Sequence, residues 1–287
     1  MNATCFACHF RKNLETAAAL GDEQTATAFA KDLMRLYLDA PDEAASPYFG
    51  PGVTALFQKY YGLGEDRYVQ EKLDSNRFVM ERFDSIKARV QAQPDPVYAG
   101  LQFSILGNYL DFSALQGQVS FEKLDEMLDM GLGMELDRDC YQRLCRELET
   151  AQNLLYLTDN AGEIAFDRIF AEEIAKKYPH LQITFCVRGG PVLNDATRED
   201  AAAVGVPFDI IDSGNCIGGT ELTLLGAEAK AAFESADVIL AKGMGNNETL
   251  YGCGYNVYYA FLVKCQMFVE RFGSPLMTPM LVTERKK

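Results

Sequence analysis

From residue 151 onward the chain alternates short apolar runs with stretches of helical period, and this constrains the fold more than any other feature of its 287 residues. NLLYLTD (153–159), QITFCVRG (182–189), FDIIDSG (208–214) and DVILAKG (237–243) are compact apolar runs. Runs of this length without polar alternation are strands buried on both faces. EIAFDRIFAEEIAKKY (163–178) and LLGAEAKAAFESA (224–236) lie between them with helical periodicity, a short helix begins at Thr197, and YYAFLVKC (258–265) is a fifth candidate strand. Strand–helix–strand repetition predicts an α/β fold, a Rossmann-like α/β/α domain on a mostly parallel sheet.

Residues 1–150 read instead as an all-helical domain, so the expected division is 1–150 and 151–287. In 65–91, Val69, Leu73, Met80, Phe83, Ile86 and Val90 recur on one helical face, with Asn76 on the same stripe. Pro94 and Pro96 end that helix, because the residue before proline is pushed out of the helical region. A second helix begins near Pro96 and carries Val97, Leu101, Ile105 and Asn108 on one face, and two more are expected over 120–130 and 137–149. The segment 40–52 holds three prolines and two glycines and reads as a loop.

Charge and composition narrow the function. Lys and Arg number 27 against 41 Asp and Glu, a net charge of −14, which speaks against nucleic acid and anionic membranes as partners. Two histidines, His9 and His180, leave no basis for a His-rich metal site and argue against a Ser-His-Asp triad. No apolar run reaches the roughly 18 residues of a membrane span. The first residues lack a basic stretch followed by an apolar one, so no secretion leader is read. Eight cysteines without such a leader imply free thiols in a reducing compartment, and a cytoplasmic location is expected.

In open α/β sheets, ligands bind beyond the carboxyl ends of the strands. The first strand is followed there by Thr158, Asp159, Asn160, Ala161, Gly162 and Glu163, the second by Arg188, Gly189, Gly190 and then Asn194 and Asp195. SGNCIGGTE (213–221) follows the third and KGMGNNE (242–248), with Asn246, the fourth. Asp159, Asn160 and Asp195 offer hard oxygen ligands, which suit Mg²⁺ or Mn²⁺ better than zinc. Gly162 lets the chain approach a ligand at a helix N-terminus, where free N–H groups favour an anion. Arg188, Lys242 and amides of 218–220 would balance phosphate charge, while the structural alternative for Lys242 is an ion pair with Asp195 or Glu248. Glu163 is either part of the site or a first-turn acid favoured by the helix dipole. The first loop lacks the Gly-x-Gly-x-x-Gly of a dinucleotide site, and neither a P-loop nor a Gly-x-Ser-x-Gly elbow is present.

YLTDNAGEIAFD, GGPVLNDAT and AKGMGNNE, in this order, resemble the damage-control phosphatase family, the ARMT-like group long catalogued as a domain of unknown function. The N-terminal Cys-x-x-Cys and LGNYLDF (106–112) are similar to its prokaryotic branch. The resemblance implies a helical region packed on a Rossmann-like α/β/α domain, and a divalent-metal-dependent phosphatase of small metabolites such as sugar phosphates or damaged phosphorylated cofactor precursors. By motif position it puts the metal ligands on Asp159, Asn160 and Asp195 and the phosphate-binding lysine on Lys242. The ion would be Mn²⁺, Mg²⁺, Co²⁺ or Ni²⁺. Catalytic roles then fall on Asp159, Asp195 and Lys242, and substrate contacts on Asn108, Asp111, Gly162, Glu163, Arg188 and Asn246. Two other classes stay open: an S-adenosylmethionine-dependent carboxyl methyltransferase, and a non-catalytic metal- or metabolite-binding protein.

Cys5 and Cys8 are open between packing and a structural or redox role. A metal held by them would need two more ligands, for which Cys140 and Cys145 are the candidates, at an unusual spacing.

Overall fold

The fold is described from a computed structural model covering residues 1–64, 66–110, 126 and 128–284. Six strands form one sheet: β1 (Asn153–Leu157), β2 (Gln182–Val187), β3 (Asp209–Asp212), β4 (Val238–Lys242), β5 (Val257–Leu262) and β6 (Pro279–Thr283). Their spatial order is β3-β2-β1-β4-β5-β6, with every neighbouring pair parallel except the antiparallel β5–β6. The α/β class and the mostly parallel sheet are therefore as the alternation predicts. Chain order reverses direction at β1, so the crevice beyond the carboxyl ends of β1 and β4 is the topological switch point, where such sheets bind ligands.

Side chains of a strand alternate between the two faces of the sheet. Leu154, Tyr156, Phe185, Leu240 and Tyr258 face one core, which also takes Leu101, Phe103 and Ile105 of the helix Pro96–Gly107 and Phe166 and Phe170 of the helix Glu163–Lys177. Leu155, Leu157, Ile239, Ala241 and Tyr259 face a second core with Phe233 of the helix Ala227–Ser235 and Phe268. A third core, with Ala17, Phe29, Leu33, Phe49, Val53 and Phe57, joins the helices Ala3–Leu20, Glu23–Leu38 and Gly50–Tyr61. The first core crosses residue 150: Leu144 and Leu148 of the helix Arg138–Leu148 are part of it. Among the described residues no helix is long and apolar enough to cross a membrane.

Three local differences from the sequence reading have physical causes. The 65–91 stripe is two helices, Val69–Met80 and Phe83–Gln91. The first buries Lys72, Ser75, Asn76, Phe78 and Val79 and leaves Val69 and Leu73 about half exposed, at 47% and 53%, because its inward face meets the polar turn after β1 rather than an apolar core. In 40–52, Pro47 and Pro51 start a 3₁₀ turn (Ser46–Phe49) and a helix (Gly50–Tyr61), positions that need no proline N–H. The edge strand β6 opens at Pro279 and is only partly buried, so it lacks the apolar run that marks the inner strands. Of the helix expected over 120–130, residues 128–131 are helical, and the rest lies largely outside the described residues, as does Asp111.

Candidate active site at the switch point

The loops after β1 and β2 are zipped together by their backbones. Ala161 N–H donates to Asn194 O (2.8 Å), Ala196 N–H donates to Asp159 O (2.7 Å), and Asn160 and Asp195 form an isolated antiparallel bridge. That pairing brings the three expected metal ligands, Asp159, Asn160 and Asp195, into one place. The loop after β4 closes the third side. Gly243 has φ 75°, and a side chain there would collide with the Asp159 carboxylate, so glycine is required for that carboxylate to lie over the start of the helix Gly243–Leu250.

Acids and amides then interlock. Asn108 Nδ2 donates to Asp159 Oδ2 and to Glu163 Oε2, both at 2.8 Å, and Asn160 Nδ2 donates to the same two oxygens at 2.9 Å. Asp195 is held by Arg188 Nε at 2.6 Å. Burial pushes the Asp159 carboxyl well above the usual carboxylate range, Glu163 and Asp195 push it further, and Arg188 and Lys264 pull against them. Asn108 Oδ1 is buried with no partner among the described residues. Among the described residues no group of three or more His, Cys, Asp or Glu is set to hold a metal ion. The groups that do converge are the carboxylates of Asp159, Glu163 and Asp195 and the side-chain amides of Asn160 and Asn108, and carboxylate and amide oxygens are the donor types that suit a hard divalent ion.

Other expected site residues are placed differently. Lys242 is fully buried, and its ammonium donates to Ser104 O (2.9 Å), Glu163 Oε1 (2.7 Å) and Asp167 Oδ1 (2.7 Å). Its acidic partners are therefore Glu163 and Asp167, not Asp195 or Glu248. Burial alone would lower the Lys242 pKa, yet Asp167 and Glu163 outweigh it and raise it. Glu163 is not an exposed first-turn acid: it is fully buried and accepts from two asparagines and the lysine. Gly162 N–H is not free for an anion, since it donates to Asn76 Oδ1 at 2.7 Å, while Asn76 Nδ2 donates to Asp200 Oδ1 at 2.8 Å. The glycine is needed for its φ of 77° and because a Cβ would sit 2.9 Å from that of Ser75.

Arg188 points inward. Besides Asp195 it donates to Gly219 O (2.9 Å) and Thr158 O (3.2 Å), so its fork braces three loops. Asn246 is likewise enclosed, donating to Lys242 O and Thr158 O and accepting from Thr220 Oγ1. In 218–220, Gly219 N–H donates to Ile217 O and Thr220 N–H to Thr249 Oγ1, which leaves at most the Gly218 amide for a ligand.

Asp167 was not singled out from the sequence. It is buried and accepts from Lys242, Ser104 Oγ and Tyr156 OH, all at 2.7–2.8 Å. Two carboxylates share one ammonium there, and Asp167 is pushed up to about 6, by burial first and against the pull of Lys242. The signal that could have found it is its spacing: it follows Glu163 by four residues and so shares its helix face.

A family description, the damage-control phosphatase ARMT1-like domain, matches residues 1–278. The chain belongs to this family. A damage-control phosphatase of Pyrococcus horikoshii is 32% identical over 228 residues, covering 78% of this chain and 77% of that one, and a damage-control phosphatase of Archaeoglobus fulgidus is 32% identical over 213 residues, 73% of each. An uncharacterised protein of Methanocaldococcus jannaschii is 33% identical over 282 residues, 94% of this chain and 90% of the other. The crystal structure of a DUF89 family protein from P. horikoshii superposes with a TM-score of 0.84 at 26% identity over 99% of both chains. Family membership carries the phosphatase class of reaction to this chain.

The eight cysteines are all free thiols. Cys5 packs at the edge of the second core, as Cys265 does, while Cys140 lies in the first core and Cys145 packs against it. Cys140 and Cys145 are therefore on the far side of the sheet from Cys5 and cannot complete a site with it.

Proposed function

We propose that this family member is a divalent-metal-dependent phosphomonoesterase of small phosphorylated metabolites and that it works at the β1/β4 switch point. The observation that carries the reading is the convergence of Asp159, Asn160 and Asp195 through the zipped β1 and β2 loops. These three would hold the ion. When bound, the ion polarises a phosphoryl oxygen and orients the attacking group.

The remaining roles belong to the chain's own residues. Arg188 fixes the Asp195 carboxylate and braces the loops around it. Asn108, bonded to Asp159 and Glu163 through Nδ2, positions both carboxylates from the helical side. Lys242 holds Glu163 from behind, so it acts on the site as a positioning charge through that carboxylate. Asp159 and Asp195 are the acids available to orient or deprotonate an attacking water.

The test is a turnover screen across sugar phosphates and phosphorylated cofactor precursors with Mg²⁺, Mn²⁺, Co²⁺ and Ni²⁺ in parallel. Hydrolysis that stops on chelation and returns with added ion is expected. Absence of turnover with every ion and every ester overturns the proposal.

A further inference from the structure

A cavity of about 220 Å³ lies between the N-terminal helices and the loops after β2, β3 and β4. Its link to the switch point is Gly218: a Cβ built there would stand 4.0 Å from Asp195 Oδ2. A molecule with its phosphoryl group beside Asp195 would extend its far end into this space.

One lining residue stands apart. The Arg67 guanidinium lies over Phe57, its Cζ 4.6 Å from the ring centroid, and 5.9 Å from that of Tyr68. No ion pair or hydrogen bond ties it to any described residue. The basic residues of the adjoining groove are all matched, Lys72 by Asp200, Arg188 by Asp195 and Arg198 by Asp212. The cation–π contact holds the Arg67 guanidinium against Phe57, and its N–H groups have no acceptor among the described residues and so can take an anion. In a chain of net charge −14, a preoriented and unmatched arginine is a local exception that a second negative group needs.

Apart from Glu248, the rest of the lining is neutral or apolar. His9 Nδ1 and the Tyr37 hydroxyl share a hydrogen bond of 2.6 Å and burial keeps the imidazole uncharged, while Asn13 and Thr54 add an amide and a hydroxyl. Glu248 also borders the cavity, and burial pushes its carboxyl up to about 7, so near neutrality it also supplies a proton donor. The cavity is small for a ligand pocket, which suits a compact ligand such as a short hydroxylated chain.

We infer that this cavity receives the far end of the substrate and that Arg67 there selects compact phosphomonoesters carrying a second anionic group, a carboxylate or another phosphate. The inference rests on the phosphatase reading.

The experiment compares kcat/KM for matched pairs: fructose 1,6-bisphosphate against fructose 1-phosphate, and 6-phosphogluconate against glucose 6-phosphate. Wild type is expected to favour the doubly anionic member of at least one pair by about tenfold or more, Arg67→Met to lose that ratio, and Arg67→Lys to restore part of it. Preference in the first pair alone assigns the second anion as phosphate, and in the second pair alone as carboxylate. Equal ratios in wild type and Arg67→Met overturn the inference while leaving the phosphatase intact. Should no ester turn over, the phosphatase reading falls, and calorimetric binding of the same four compounds to both proteins decides the pocket: tighter binding of the doubly anionic compounds that Arg67→Met abolishes supports it, and equal binding overturns it.

Discussion

At the scale of single residues, the decisive fact is that Lys242 is enclosed by three acceptors. Two of them are carboxylates with no exposure. From the sequence, a lysine at a strand end on the ligand rim is expected to face an absent ligand, so that removing its charge would cost little stability. The structure reverses that. Lys242→Met leaves Glu163 and Asp167 buried without their cation, a change that costs about 3–5 kcal/mol. Urea denaturation is expected to show that loss together with lowered turnover, and a loss under about 1 kcal/mol would contradict the pairing. The same limit applies to Arg188. Whether a side chain at a strand end faces the rim or the core turns on a one-residue register that periodicity alone does not fix.

At the scale of elements, the clamp between the helix Val69–Met80 and the turn after β1 is the contact that seats the helical region over the site. Asn76 bridges Gly162 N–H to Asp200, and Gly162 touches Ser75. Gly162→Ala combines a positive φ with a Cβ 2.9 Å from Ser75, so about 2 kcal/mol of stability or more should be lost, and the thermal midpoint should fall with it. An unchanged midpoint would mean that the helix moves away freely. Much of this level was legible in the sequence. The four inner strands of the sheet centre read as apolar runs because parallel strands are buried on both faces, and the rim acids read as clusters because they interrupt those runs. Asp167 did not, because inside an amphipathic helix an acid is ordinary until the fold puts a lysine from another element beside it. Nor did β6, whose one well-buried residue is Leu281.

At the scale of the whole molecule, the N-terminal helices have their own core yet complete the cavity beside the site, so their stability bears on function. His9 makes this testable by pH. Burial, with Lys12 adding to it, pushes its pKa from 6.5 down to about 4. Between those values the unfolded chain binds a proton that the folded chain does not, so stability falls as pH drops from 6.5 towards 4. That share is on the order of 2 kcal/mol, and His9→Phe should flatten the thermal midpoint across this window relative to wild type. Parallel curves for the two proteins would refute it. Cys5→Ser with Cys8→Ser should leave turnover within about threefold, because the chemistry is assigned to oxygen ligands on the rim. The central claim is that the zipped loops build one metal site, and calorimetry of Mn²⁺ binding to wild type, Asp159→Ala and Asp195→Ala addresses it most directly. Both variants should remain folded by circular dichroism and bind the ion at least about 10²-fold more weakly than wild type. Wild-type affinity in both would show that the ion, and with it the reaction, belongs elsewhere.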